Sequence, residues 1–124
     1  NPKAVMVMRE RGIDISDHKP CQVDEYLNED WDYVITVCDH AKETCPVFHG
    51  NVKHQIHMGY EDPSKATGSY EHVLNEFRRI RDDIDRDFFQ LYCEMEERKW
   101  IEPSNIHSWF TIQFLNSEAL FLLT

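Results

Sequence analysis

The sequence predicts an α/β fold in which a parallel sheet is flanked by helices, and three observations carry that prediction. Asp32-Tyr33-Val34-Ile35-Thr36-Val37-Cys38 is a β-branched run of the kind carried by a parallel strand covered on both faces. Val73, Phe77, Ile80, Ile84, Phe88, Leu91 and Met95 recur every three to four residues with charges between them, the period of an amphipathic helix. Between these two segments, Ile56 and Met58 alternate with His57 and mark a second, weaker strand over residues 54–60.

The remaining elements follow in chain order. Asn1-Pro2 supplies an N-cap and a proline at the first helical position, Val5 and Met8 share a face, and Gly12 closes that helix. Ile13-Asp14-Ile15-Ser16 reads as a short extended stretch. Residues 17–30 are polar and mix loop with a short helical turn around Val23 to Leu27. After the first strand, residues 39–51 are polar, Asp62-Pro63 ends the second strand, and a loop over residues 64–69 leads into the long helix. Pro103-Ser104-Asn105 separates that helix from a tail rich in aromatics and leucine. The organisation is therefore a main domain over residues 1–99 and an apolar tail over residues 100–124, the latter without Lys or Arg.

A length of 124 residues suits one domain of ordinary size. With 23 acidic residues against 13 Lys and Arg, the net charge is -10, which opposes binding to nucleic acid or to an anionic membrane. No apolar run reaches the length of a membrane span, and the N-terminal residues lack a signal-peptide core. The four cysteines, Cys21, Cys38, Cys45 and Cys93, are therefore expected in a reducing compartment, the cytoplasm. There they serve more often as buried, metal-bound or catalytic thiols than as structural bridges.

Cys38 ends the first strand, where α/β sheets place function, and Cys45-Pro46 follows seven residues on. A bend that shortens this gap lets one thiolate attack a sulfur and the other resolve the product. The competing reading is two unrelated buried thiols. Cys38, His40, Cys45, His49, His54 and His57 could also suggest zinc, but their spacings match no paired Cys or His ligand pattern, so no metal and no cofactor is expected. Asp62 can serve as a general acid at a strand end, or simply open a turn before Pro63. The acidic pairs Asp82-Asp83 and Glu96-Glu97 read as solvated helix faces. Arg78, Arg79 and Arg81 are expected to pair with Asp82, Asp83 and Asp85. Cys21 receives no role.

Taken together, Asn1 to Val5, Gly12 to Ser16, Asp32 to Cys38, Cys45-Pro46, Gly59-Tyr60-Glu61-Asp62-Pro63 and Glu76 to Asp82 resemble the thioredoxin-coupled arsenate reductases of the low-molecular-weight protein tyrosine phosphatase fold. The resemblance covers residues 1–92 and implies a three-layer fold. It implies that a nucleophilic cysteine in a Cys-x5-Arg loop attacks arsenate. The position of Cys38 then attacks that sulfur and arsenite leaves. Cys45 resolves the product into a Cys38–Cys45 disulfide, which thioredoxin reduces, and Asp62 acts as general acid.

The Cys-x5-Arg loop is expected upstream of Asn1. Six positions after Cys21, Cys38, Cys45 and Cys93 stand Leu27, Thr44, Asn51 and Lys99, none of them arginine. The chain thus reads as part of a reductase, truncated before its first strand and inactive by itself. The tail segment Trp109 to Leu115 is expected to fill the place beside Val34 to Val37. Two other functions stay open: a tyrosine phosphatase of the same fold, and a non-catalytic remnant that cycles its disulfide or binds a partner.

Overall fold

A computed structural model describes residues 1–39, 48–98, 113–115 and 120–123, the last two segments by their backbone pairing. The chain forms two compact units, residues 1–18 with 61–102 and residues 19–60 with 103–124.

The first unit is helical. Helix α1 spans Pro2–Arg9, and the Asn1 side chain accepts a hydrogen bond from the Lys3 amide at 2.9 Å, as an N-cap should. Its C-terminal turn closes with Gly12 at φ 76°, a left-handed conformation that glycine adopts without strain. Residues 13–16 belong to none of the described strands. Asp14 accepts from the Ser16 amide at 2.9 Å, a side chain to backbone bond that favours a local turn.

Helix α2 spans Tyr70–Glu97, capped by the Ser69 hydroxyl, which accepts from the His72 amide. Leu74, Phe77, Ile80 and Met95 are buried along it, while Val73, Ile84, Phe88 and Leu91 are half-buried. The core of this unit joins Val7 to Leu74 and Phe77, with Ala4 and Val73 against them. Val7 is the deepest residue of α1, whereas Val5 and Met8, which the periodicity favoured, are only half-buried.

Of the expected partners, Asp82 is held by Arg81 at 2.8 Å and Asp83 by Arg79, and the arginines of α2 also reach across to the end of α1. Arg78 and Arg81 both hold Glu10, at 2.8 and 2.9 Å, and Arg11 reaches Asp82 at 2.9 Å. Arg79 holds Glu61 and Glu76, with Asp83 farther off at 3.6 Å. Arg81, 12% exposed, also donates to the Val7 carbonyl at 2.7 Å. That carbonyl lies in the last turn of α1, where the helix supplies no donor of its own.

Two predictions follow from these contacts. Arg81→Ala leaves a carbonyl of the core residue Val7 without its donor, and is expected to cost about 1–3 kcal/mol in urea unfolding. The Asp82 carboxyl is held down at about 2, first by Arg81 and then by Arg11, and Glu10 is lowered first by Arg78. Carboxyls lowered in the folded state stabilise it above their unfolded values and lose that contribution as pH falls. The helical unit is therefore expected to weaken from about pH 4 down to about pH 2, read by circular dichroism at 222 nm.

The second unit is a sheet in the order β2-β1-β4-β3. Strand β1 is Asp30–Thr36 and β2 is Asn51–His57; they run parallel, with Asp30 opposite Asn51 and Thr36 opposite His57. β2 begins three residues earlier than alternation alone placed it. Asn51 donates to Asp30 and Lys53 pairs with Asp32, so polar cross-strand partners carry the pairing where apolar residues are few. Strand β3 is Gln113–Leu115 and β4 is Leu120–Leu123. β4 pairs antiparallel with β1, Ile35 opposite Phe121, and β3 pairs with the far side of β4.

The tail thus does supply a neighbour for β1, but through Leu120–Leu123 rather than Trp109 to Leu115. An all-apolar segment suits the position between two strands, while Gln113 is tolerated on the outer strand. Residues 109–112 lie outside the described residues. The core of this unit gathers Trp31, Val34 and Phe48, with Cys21, Val23, Tyr26, Leu27 and Val52 around it. Val23–Tyr26 form a single 3-10 turn, in the helical region that the sequence marked.

Candidate functional site

The parallel ladder continues beyond the strand ends: Met58 N donates to Thr36 O at 2.8 Å and Tyr60 N to Val37 O at 3.0 Å. Cys38 sits where this ladder stops, 5% exposed, and is disulfide-bonded. Cys21 and Cys93 are free thiols, both half-buried. Cys45 lies outside the described residues, as does His40.

Phe48 is buried against Trp31 and Val34, and its carbonyl accepts from Gln55 Nε2 at 3.2 Å. Gly50 permits the close packing beside it. A Cβ there would stand 2.6 Å from the Phe48 ring and 2.8 Å from the Leu27 carbonyl.

Asp62 opens the helical unit's return. Its Oδ1 accepts from the Ser64 amide at 2.9 Å, capping the short 3-10 turn Pro63–Lys65, and Lys65 Nζ lies 4.0 Å from Oδ2. The carboxylate thus caps a turn, as one of the two readings of Asp-Pro has it, and is half-buried. The neighbouring Glu61 is fixed by Arg79 at 2.8 Å. Cys38 belongs to the sheet unit and Asp62 to the helical one.

Among the described residues, no three His, Cys, Asp or Glu side chains gather as ligands for a metal ion. His54 lies instead in a stack with Tyr33, ring centroids 5.0 Å apart. Cys21 gains a structural role. It hydrogen-bonds Tyr26, and that bond, more than burial, pushes the Tyr26 phenol up to about 12.

One further pair stands beside Cys38 that pattern reading passed over. Thr36 Oγ1 and His57 Nδ1 are 2.8 Å apart across the β1–β2 register. A Cβ on Gly59 would lie 3.1 Å from His57 Nε2 and 3.3 Å from the Cys38 carbonyl oxygen. In the sequence His57 is one of several histidines in an alternating run. Only its glycine neighbour two residues on hints at a close approach.

Comparison with known proteins adds two findings. A family model described as low molecular weight phosphotyrosine protein phosphatase matches residues 1–100. An arsenate reductase of Halalkalibacterium halodurans is 44% identical over 84 residues, 68% of this chain and 60% of that protein. Arsenate reductase 2 of Staphylococcus saprophyticus is 40% identical over 92 residues, covering 74% of this chain and 65% of its own. The arsenate reductase of Bacillus subtilis is 39% identical over 84 residues, again 68% and 60%. The chain spans about three fifths of the length of the curated relatives it matches.

Proposed function

Because the chain belongs to the low molecular weight phosphotyrosine protein phosphatase family, we propose that it carries the thiol–disulfide half of an arsenate reductase. Cys38 and Cys45 form the redox couple, Asp62 is the general acid, arsenate is the substrate and a thioredoxin is the reductant. The observation that supports this most is the state of the cysteines. Cys38, at the sheet edge, is disulfide-bonded while Cys21 and Cys93 are free, which leaves Cys45 as the candidate partner.

The chemistry balances with these parts. Reduction of arsenate to arsenite takes two electrons, and two thiols supply them on becoming a disulfide, with oxygen leaving as water. In the proposed order a thiol–arsenate adduct forms on the cysteine of a Cys-x5-Arg loop. The Cys38 thiolate attacks that sulfur and arsenite departs with the bonding pair. Cys45 then displaces the first cysteine, and thioredoxin's dithiol reopens Cys38–Cys45. A capped but partly solvated carboxyl such as Asp62 can protonate the oxygen that leaves. Such a cycle needs a reducing compartment, for which we propose the cytoplasm. Residues 1–99 carry the family domain in this reading and residues 100–124 an added segment.

None of the four cysteines here begins Cys-x5-Arg, so the 124-residue chain alone is expected to turn over neither arsenate nor phosphate esters. It is expected to cycle with thioredoxin. With thioredoxin, its reductase and NADPH, the oxidised chain should expose two new alkylatable thiols, mapped by mass spectrometry to Cys38 and Cys45. Failure of either to become alkylatable, under conditions where dithiothreitol opens the bond, would sink the thioredoxin-coupled reading.

A further inference from the structure

We propose that Arg79 is a positioning residue for Asp62: it fastens Glu61, the residue before the acid, to helix α2 and so sets where the Asp62 carboxylate stands. The proposal rests on Asp62 being the general acid. Its contacts all lie within one unit of the chain, residues 1–18 with 61–102.

The guanidinium is first fixed from its own helix. Arg79 Nε and Nη2 donate to Glu76 Oε2 at 3.1 and 2.8 Å, and Nη1 faces Asp83 at 3.6 Å. These partners stand three residues before and four after Arg79, on the same helix face. The second N–H of Nη2 is then left to reach off the helix, and it donates to Glu61 Oε2 at 2.8 Å. Glu76 first and Glu61 second raise the Arg79 guanidinium above its ordinary value. A planar fork with fixed directions suits this double grip, whereas an ammonium offers one point charge on a flexible stem.

A grip on residue 61 passes to residue 62 because the chain between them is stiff. Asp62 is extended, at φ -75° and ψ 109°, the region to which a following proline confines it. Pro63 has its own φ set by its ring. Beyond it the turn closes on itself. Ser64 N donates to Asp62 Oδ1 at 2.9 Å, Lys65 N to Asp62 O at 3.2 Å and Ala66 N to Pro63 O at 3.2 Å.

Those three bonds orient the carboxylate within its turn, and Lys65 Nζ lies 4.0 Å from Oδ2 on the same turn. They do not set the turn against α2, on which it packs. The bond from Arg79 to Glu61 does, joining the residue that leads into the turn to the helix. Arg79 is 45% and Glu61 57% exposed, and an ion pair so placed adds little to overall stability. Its effect is therefore local: it restrains the turn while leaving the helix as it was.

The test reads the turn directly, by NMR of the isotope-labelled 124-residue chain at neutral pH. In Arg79→Gln the Ser64, Lys65 and Ala66 amides should exchange with water about two- to fivefold faster, the effect of losing an exposed ion pair. The Ser64 amide proton should also move upfield, since its bond to Asp62 is then made less often. Glu61→Gln, which weakens the far end of the grip and leaves Arg79 on Glu76, should act in the same direction. Arg79→Lys should recover part of the protection. Amides in the middle of α2 should keep wild-type rates in every variant. Unchanged Ser64 exchange in Arg79→Gln, an effect that Glu61→Gln does not share, or an equal acceleration along α2 would overturn the proposal. The general-acid reading is tested separately, by turnover of an intact reductase carrying Asp62→Asn, so either can fail without the other.

Discussion

Cys38→Ser is expected to abolish the reversible two-thiol oxidation of this chain and to reduce thioredoxin-dependent NADPH consumption to background. A hydroxyl cannot enter thiol–disulfide exchange, and its oxygen does not ionise in the range where a thiol does. The effect is all-or-none because a disulfide needs both partners. Cys45→Ser should behave the same way, whereas Cys21→Ser and Cys93→Ser should leave the cycle intact, since both are free thiols. Cys21→Ser carries a separate signature. Without the thiol beside it, Tyr26, now pushed up to about 12, should titrate nearer the ordinary phenol value of about 10. Absorbance at 295 nm reads that shift. Persistence of two reversibly oxidised thiols in Cys38→Ser would place the redox couple elsewhere in the chain.

The second large effect concerns stability. Trp31→Ala is expected to cost about 3–5 kcal/mol, a large share of the 5–15 kcal/mol that holds a typical domain. Trp31 is 6% exposed and packs with Val34 and Phe48. Its ring meets Tyr26 edge-on at 5.7 Å, and its Nε1 donates to the Tyr26 carbonyl at 3.0 Å. Alanine removes the ring, leaves a cavity at the end of β1 and strips that carbonyl of its donor. Trp31→Phe keeps most of the packing and loses the hydrogen bond, so about 1–3 kcal/mol is expected for it. Urea midpoints at constant m-value distinguish the two. Equal losses in both variants would mean that the hydrogen bond, not the ring volume, carries the effect.

Much of the fold is legible without coordinates, and the readable parts share a physical character. The Asn1-Pro2 start of α1, the glycine that closes it, the periodic face of α2 and the β-branched run of β1 are each specified by residues within a turn or two of one another. Local hydrogen bonding and side-chain periodicity suffice to specify them. The site was legible in the same way only in part. Cys38 at the end of a β-branched strand and Asp62 before a proline are local features. Their pairing with Cys45 and a thioredoxin rests on family likeness, and residues 40–47 lie outside the described residues.

What the tertiary structure decided is everything that depends on partners far apart in sequence. It chose Val7 over Val5 and Met8 as the deep residue of α1, because α2 approaches from that side. It added Glu10 as a partner of Arg78 and Arg81 beyond those on their own helix, and gave the Val7 carbonyl a donor from 74 residues away. It seated Leu120–Leu123 beside β1, where the sequence favoured the more aromatic segment before it. It also brought the His57 ring and the Cys38 carbonyl close to Gly59. Sequence by itself determined the elements and the chemistry of their ends, since those are fixed by neighbours along the chain. Which faces and ends meet was decided only when the chain folded, because burial and long-range pairing select among segments whose local preferences are nearly equal.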